Sequence, residues 1–583
     1  MTKYLKNLLA GSVAVSCLIS PGLVSARSVP NFALIDVDDI NHELYRSEGR
    51  AVVLYFTGVG CPIARKNARK FRDLRDQFEG KGVEFWVVNS YAGDTKNEVR
   101  DERRKTGLWG MTTLMDSKQA VALSLGVERT AEVVAIGMKD REIFYRGATD
   151  DQLSEGAEKP AASEHYLKDA LTAFLAGDAI SNPETQARGC RITYAKVSED
   201  DDKAPDYATQ VAPLLQANCV ECHRKGGIGP WSMSSHRRVA NYADMIEEVL
   251  LTRRMPPWDP HPDYGTFVDP QSLSREETQT LIRWVQAGAA MADGVEDPLE
   301  APLVPLPEWR LGDPDVVLKL PEVQKIPATG VLDYRYIKAA NPFTNDVWLS
   351  GMDIKPGNRK VVHHVILYAK WPGAPEGGSD KGVFFVGWAP GASVLRYPDG
   401  VAKKLPAAAE LTFEVHYTTV GTEETDQSEI ALYLADGPQE RSAETRQAIQ
   451  LDLDIPPGEA NAEHVATYAF KKPATIYGLF PHMHFRGKWM RYELLLPDGR
   501  RETLLHVPRY DFQWQFSYYF EKPRRVPAGS WLLVTGAFDN SAANPANPDP
   551  TRRVVFGEQS WDEMFIGFFE AADDPEPTHT AAK

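Results

Sequence analysis

Hydrophobic and polar positions along the chain fall into three regimes. In the first, "AVVLYF" (51–56) and "VEFWVVNS" (83–90) are continuous apolar runs of the kind that form buried strands. Between them, Pro62–Phe78 has helical spacing with a basic face, and "EHYLKDALTAFLAG" closes the block as another helix. This alternation predicts a small α/β domain over 28–180. Residues 181–205 are polar and turn-rich and read as a linker.

The second regime, 206–296, is helical: "QVAPLLQAN", "YADMIEEVLLTRR" and "REETQTLIRWVQAG" carry a 3.6-residue period. A Pro-rich linker, 297–310, follows. From 311 the texture changes to short strands between Gly, Pro and Asp turns, among them "VVHHVILYAK", "LTFEVHYTTV", "RYELLLP" and "SWLLVTGAF". Such spacing predicts all-β sandwiches. The stretch is long for one, so two are expected, 311–445 and 446–575, with a tail at 576–583. The expected architecture is therefore multidomain: α/β, all-α and two all-β units.

Residues 1–26 read as a signal peptide, with Lys3 and Lys6, an apolar stretch and a Val24-Ser25-Ala26 cleavage site. Its removal takes two lysines and moves the formal charge from −16 to −18. Acidic balance of that size argues against a nucleic-acid partner. No other run approaches the roughly 20 apolar residues of a membrane span. The mature protein is expected to be exported, periplasmic or secreted. Of five cysteines, Cys17 leaves with the signal, and Cys61, Cys190, Cys219 and Cys222 remain. Four are too few for a disulfide scaffold at this length, so they point to chemistry or a single bridge.

"ANCVECHRKGG" holds Cys-x-x-Cys-His at Cys219, Cys222 and His223. In that motif two thiols bond covalently to heme c and the adjacent imidazole binds iron. With its flanking helices and the "RRMPPW" loop, the segment resembles a cytochrome c domain over about ninety residues. Met255 is the first candidate for the sixth iron ligand, since the prolines after it fix the loop, with Met233, Met245 and His261 as competitors.

Five histidines stand in strand-like segments of the β half: His363, His364, His416, His482 and His484. Residues two apart on a strand share a face, which suits His482 and His484 to one metal. Adjacent residues face opposite ways, so His363 and His364 can share an ion only through a bulge or at a strand end.

The block from 311 to 575 resembles the type II copper, ascorbate-dependent monooxygenases, the group of peptidylglycine α-hydroxylating monooxygenase and dopamine β-monooxygenase. The resemblance rests on the His363-His364 pair, "VHY" at 415–417, the His482-x-His484 motif and "WDEM" at 561–564, in the family's order. It implies two copper ions: an electron-transfer copper on His363, His364 and His416, and an oxygen-binding copper on His482, His484 and Met564. It also implies hydroxylation of a C–H bond of an organic or peptide substrate by dioxygen. The single electrons would come from ascorbate or a periplasmic carrier and be relayed through the heme. Phe480, Ile566 and Phe568 stand where the peptide branch has polar carboxylate contacts, which argues against a glycine-ended peptide; Arg486 remains a nearby charge. The alternative is a copper-binding electron relay or redox sensor that hydroxylates nothing.

In "YFTGVGCPIARKNARKF", Cys61 precedes Pro62 at a helix start, beside Arg65, Lys66, Arg69 and Lys70, a setting that lowers a thiol pKa. The domain over 28–180, roughly 150 residues, resembles the redoxin branch of the thioredoxin fold. Ala64 replaces the second cysteine of Cys-x-x-Cys, Ala131 the loop proline, and Gly58 the peroxiredoxin hydroxyl residue. Cys190 is the one remaining thiol partner. A Cys61–Cys190 bridge, a catalytic Cys61 and a degenerate docking domain all stay open.

Overall fold

A computed structural model of the chain describes residues 28–154, 157–197, 203–374, 381–437 and 439–575. The signal-peptide and tail segments, 1–26 and 576–583, lie outside the described residues. No helix among the described residues is long and apolar enough to cross a membrane.

The N-terminal part is a thioredoxin-like α/β domain. Its five-stranded sheet runs Thr113–Met115, Val83–Asn89, Ala51–Thr57, Val133–Gly137, Glu142–Gly147. The first three strands are parallel and the last two pair antiparallel. Burial on both faces explains the unbroken apolar run of the Ala51–Thr57 strand. The Pro62–Phe78 helix has Cys61 as N-cap and Pro at its first turn, and it buries Ala64, Ala68, Phe71, Leu74 and Phe78 against that sheet. A capping box from Thr95 and Glu98 starts the Lys96–Thr106 helix, and Gly107 at φ +78 ends it.

Residues 181–197, expected as linker, lie along this domain. Glu184 bridges Arg146, Arg191 bridges Arg129, and Ala187, Ile192, Ala195 and Val197 are buried. Their polar composition hid an ordered segment that finds its partners on the domain surface.

Short helices follow: Ala212–Asn218, His236–Ala240, Ala243–Leu251 and Arg275–Gln286. They pack around Tyr207, Leu215, Met233 and Trp284. They do not form a free-standing bundle. Leu251 and Ile282 join the same apolar core as Leu125 and Val127 of the N-terminal domain. On the other side, Phe267 bridges Phe520, and Trp258 packs against Phe516 and Tyr518 of the C-terminal part.

The C-terminal part is a large β-rich region with two apolar cores, one around Leu349, Val365 and Phe413, the other around Met490, Val534 and Phe569. Of two four-stranded sheets, one holds the histidine strands Val362–Lys370 and Glu410–Tyr417, and the other holds Gly487–Leu495 and Trp531–Phe538. An eight-stranded sheet continues through both halves. Its joint is a short parallel pairing, Val401 with Arg441 and Ala402 with Ser442. The boundary read at 445/446 therefore falls inside the strand Arg441–Gln450.

Candidate functional site

His363 and His364 lie on the Val362–Lys370 strand, His416 on the antiparallel neighbour Glu410–Tyr417. The register places His364 opposite His416 and shifts between Val362 and His364. A bulge at this point turns two adjacent imidazoles toward one space. All three rings are buried, and one nitrogen from each lies within 4.8 Å of the others. His363 Nδ1 and His364 Nδ1 are 3.3 Å apart. Two nitrogens held at about 2.0–2.1 Å from a shared ion in tetrahedral geometry stand about 3.3 Å apart.

A buried polar atom without a partner costs about 1–3 kcal/mol. His363 Nε2 and His416 Nδ1 are both buried and unpartnered among the described residues. Burial first, then the neighbouring His364, pushes His363 down to about 3. Burial, then His364, His363 and His484, pushes His416 down to about 2. Both rings are therefore neutral: His416 Nδ1 keeps a lone pair available to an ion, while on His363 the nitrogen facing His364 is Nδ1 and the unpartnered one is Nε2.

Glu414, missed in the sequence, sits 3.3 Å from His364 Nε2 and is itself buried. Its carboxylate accepts from Nε2 and leaves the Nδ1 lone pair available to an ion. Glu414→Gln is expected to weaken metal binding at this cluster about 10- to 100-fold, measurable by competition with a copper chelator. Unchanged affinity would remove Glu414 from this role.

The second cluster forms where the strand Ala474–His482 leaves the eight-stranded sheet. His482 and His484 have ring centroids 5.2 Å apart. His482 Nδ1 donates to Gln515 Oε1 at 2.6 Å, and His484 Nδ1 contacts the Asp562 carbonyl at 3.3 Å. Each ring thereby keeps an Nε2 lone pair, and that of His484 is buried and unpartnered. Burial pushes His482 down to about 4 and His484 well below its usual value. His482 pairs with Ile566, and Met564 is half-buried just before the strand Phe565–Asp573 that carries Ile566.

Glu563 holds the turn: its carboxylate accepts from the His484 N–H at 2.8 Å and the Arg486 N–H at 2.6 Å. Burial nevertheless pushes Glu563 up to about 8. Arg486 is fully buried and spends its guanidinium on Asn540, the Trp561 carbonyl and the Asp549 carbonyl. It braces this turn and offers no charge to a substrate. Phe480 and Phe568 join Phe384 and Tyr519 in an aromatic wall, with Phe568 6.1 Å from His482.

One loop, residues 510–516, touches both clusters. The Phe512 ring stacks on His363 at 4.9 Å and meets His484 edge-on at 5.9 Å. Gln513 reaches His363, and Gln515 holds His482. Nothing in "YDFQWQF" signals this without the fold.

Cys219, Cys222 and His223 follow the Ala212–Asn218 helix. His223 Nδ1 is 3.0 Å from the Trp231 carbonyl, so Nε2 is free to ligate. Burial pushes Cys219 up to about 12. Burial also raises Cys222, and the charge of Arg359 opposes the rise. Arg359 stands on the turn that leads into the His363 strand.

Of the four candidate axial ligands, Met255 lines a cavity of about 920 Å³ whose walls also include Trp258, Lys118 and Arg253, but none of Cys219, Cys222 and His223. His261 faces Asp39 and His506 instead, and Met245 is exposed. Met233 is buried beside the motif, its N–H on the His223 carbonyl.

Cys61 is buried at its helix N-cap, with Sγ 3.0 Å from Thr130 Oγ1 and 2.7 Å from Cys190 Sγ; both thiols are free. Ala131, in the loop-proline position, has φ +59.

Residues 26–146 match the model of the AhpC/TSA family, so the chain begins with a redoxin domain. No curated protein matches the chain significantly. Similar solved structures include an uncharacterized conserved protein from Geobacillus kaustophilus, 24% identical, covering 29% of this chain and 92% of its own, with a TM-score of 0.27. A hypothetical protein from Sinorhizobium meliloti 1021 is 21% identical over 29% of this chain and 94% of its own, TM-score 0.27. The thioredoxin domain of a thiol-disulfide oxidoreductase from Bacteroides vulgatus is 15% identical over 26% and 99%, TM-score 0.21.

Proposed function

We propose that the chain is an exported copper- and heme-dependent monooxygenase. His363, His364 and His416 would hold one copper, and His482, His484 and Met564 the other. Cys219, Cys222 and His223 would hold heme c. When bound, these groups supply single-electron transfer and the reaction of dioxygen with a substrate C–H bond.

The observation that carries the reading is the buried trio of imidazoles, two of them with an unpartnered nitrogen, facing a second histidine pair across the Phe512 ring. Imidazole and thioether together suit copper in both oxidation states. A purely structural cluster would leave those nitrogens desolvated with nothing gained.

The chain's own residues perform definite tasks in this scheme. Glu414, Gln515 and the Asp562 carbonyl fix the ring orientations. Phe512 fills the space between the clusters with apolar bulk. The aromatic wall of Phe384, Phe480 and Phe568 beside His482 favours a substrate that is neutral and apolar at its reacting end.

The test is dioxygen uptake by copper-loaded holoprotein with ascorbate or a reduced cytochrome, against a panel of apolar small molecules and glycine-ended peptides. The expected result is a mass gain of one oxygen atom, derived from isotopically labelled dioxygen, in an apolar substrate. Copper that cycles between oxidation states while every panel member stays unoxidised would favour the electron-relay reading.

A further inference from the structure

The two free thiols of the redoxin domain differ in a way that assigns them different jobs. Cys61 is buried beneath the segment that carries Cys190, while Cys190 is exposed. That segment is clamped. The Thr130 N–H donates to the Cys190 carbonyl at 2.8 Å, and the Cys190 N–H donates to Thr130 Oγ1 at 2.9 Å. Arg129 adds a hydrogen bond to the Gly189 carbonyl at 3.1 Å and forms an antiparallel bridge with Arg191. A Cβ on Gly189 would lie 1.7 Å from the Thr130 carbonyl oxygen, so only glycine permits this approach. The clamp carries the Cys190 sulfur onto the Cys61 sulfur from 129 residues away.

Thiol–disulfide exchange needs an attackable sulfur that an incoming thiolate can reach and a leaving sulfur that bears charge readily. Access favours attack at Cys190. The leaving-group term favours Cys61. In the reduced pair, burial opposes its ionisation but is outweighed by hydrogen bonds from Cys190, Thr130 and the Ala64 N–H, which lower its pKa. Those from Thr130 and Ala64 remain to favour the Cys61 thiolate once Cys190 is bonded to a partner sulfur. Burial and the neighbouring Cys61 raise that of Cys190.

We propose that Cys61 and Cys190 are a dithiol/disulfide pair that exchanges with an external dithiol, and that Cys190 is the sulfur through which exchange enters. In the oxidised form, a partner thiolate attacks Cys190 Sγ. The Cys61–Cys190 bond breaks, and its electron pair leaves on Cys61 Sγ. The partner's second thiol, after losing its proton, attacks the partner sulfur of the mixed disulfide. The partner closes its own disulfide, and Cys190 leaves as a thiolate that takes up a proton. Two electrons pass from the partner dithiol to the pair, and the reverse sequence oxidises a dithiol partner. The helix-cap cysteine acts as the leaving group, and the downstream cysteine faces the partner. No metal takes part, so this inference stands or falls separately from the copper reading.

The test uses full-length holoprotein, oxidised with diamide, exposed briefly to glutathione, quenched with N-ethylmaleimide and mapped by peptide mass spectrometry. The expected intermediate carries glutathione on Cys190 and N-ethylmaleimide on Cys61. Glutathione on Cys61, or the absence of a Cys61–Cys190 link after oxidation, would overturn the proposal. With oxidised glutathione, Cys190→Ser protein is expected to be modified about tenfold more slowly than Cys61→Ser protein, because its remaining thiol is the covered one; the opposite order would also overturn it.

Discussion

Replacing His484 by alanine is expected to leave heme attachment and the fold of the redoxin domain intact while product formation falls to the uncatalysed background. His484 contributes the buried, unpartnered Nε2 of the second cluster, and its other ring nitrogen is already committed to the Asp562 carbonyl. Its backbone N–H is held by Glu563, a contact that alanine preserves. The substitution thus removes one nitrogen donor without removing the brace of the turn. Met564→Ala is expected to give the same pattern. Heme is read by its absorption in the denatured, washed chain, and product by mass gain under labelled dioxygen. Turnover near the parent rate in either variant would refute the assignment of this cluster as the site of substrate oxidation.

Replacing Glu570 by alanine is expected to destabilise the β-rich region by about 3–5 kcal/mol, the usual consequence of leaving one partner of a buried ion pair alone. Lys403 Nζ and Glu570 Oε2 are 3.0 Å apart with side chains only 4% and 5% exposed. Thr445 and Tyr397 each donate a hydroxyl to the same carboxylate at 2.8 Å. Lys403, Thr445 and Glu570 stand on three neighbouring strands of the eight-stranded sheet, across the short parallel joint between its halves. With Glu570 gone, the ammonium keeps its hydrogen bonds to Thr445 and the Phe385 carbonyl but loses its paired charge in a desolvated site. The double variant Lys403→Met with Glu570→Leu is expected to recover only part of the loss, because it removes the uncompensated charge but leaves the Tyr397 and Thr445 hydroxyls and the Phe385 carbonyl without these partners. Denaturant unfolding followed by the tryptophans of the β region measures both. A single variant as stable as the parent would show that the joint does not depend on this pair.

Local patterns carried much of the fold. The helix over Pro62–Phe78 and the strand over 51–56 were visible because their periodicity is set by adjacent residues. The histidine pair at 363–364 even stated its own structural condition, a bulge, which the register at Val362–His364 contains. What escaped was long-range. The 181–197 segment looks like linker because its partners, Thr130 and Arg146, lie far back in the chain. The eight-stranded sheet depends on a parallel pairing between two strands whose composition does not name each other. Glu414 and Glu563 look like ordinary strand and turn acids until burial and the neighbouring rings give them roles. The same holds for Phe512, whose position between two metal-ligand candidates exists only in three dimensions.

The most direct measurement is the copper content of holoprotein purified after reconstitution, compared with that of His416→Ala and His484→Ala proteins. The account predicts two coppers per chain in the parent and one in each variant, with the heme signal unchanged in all three. Copper-free parent protein, or a copper count that neither substitution alters, would contradict it.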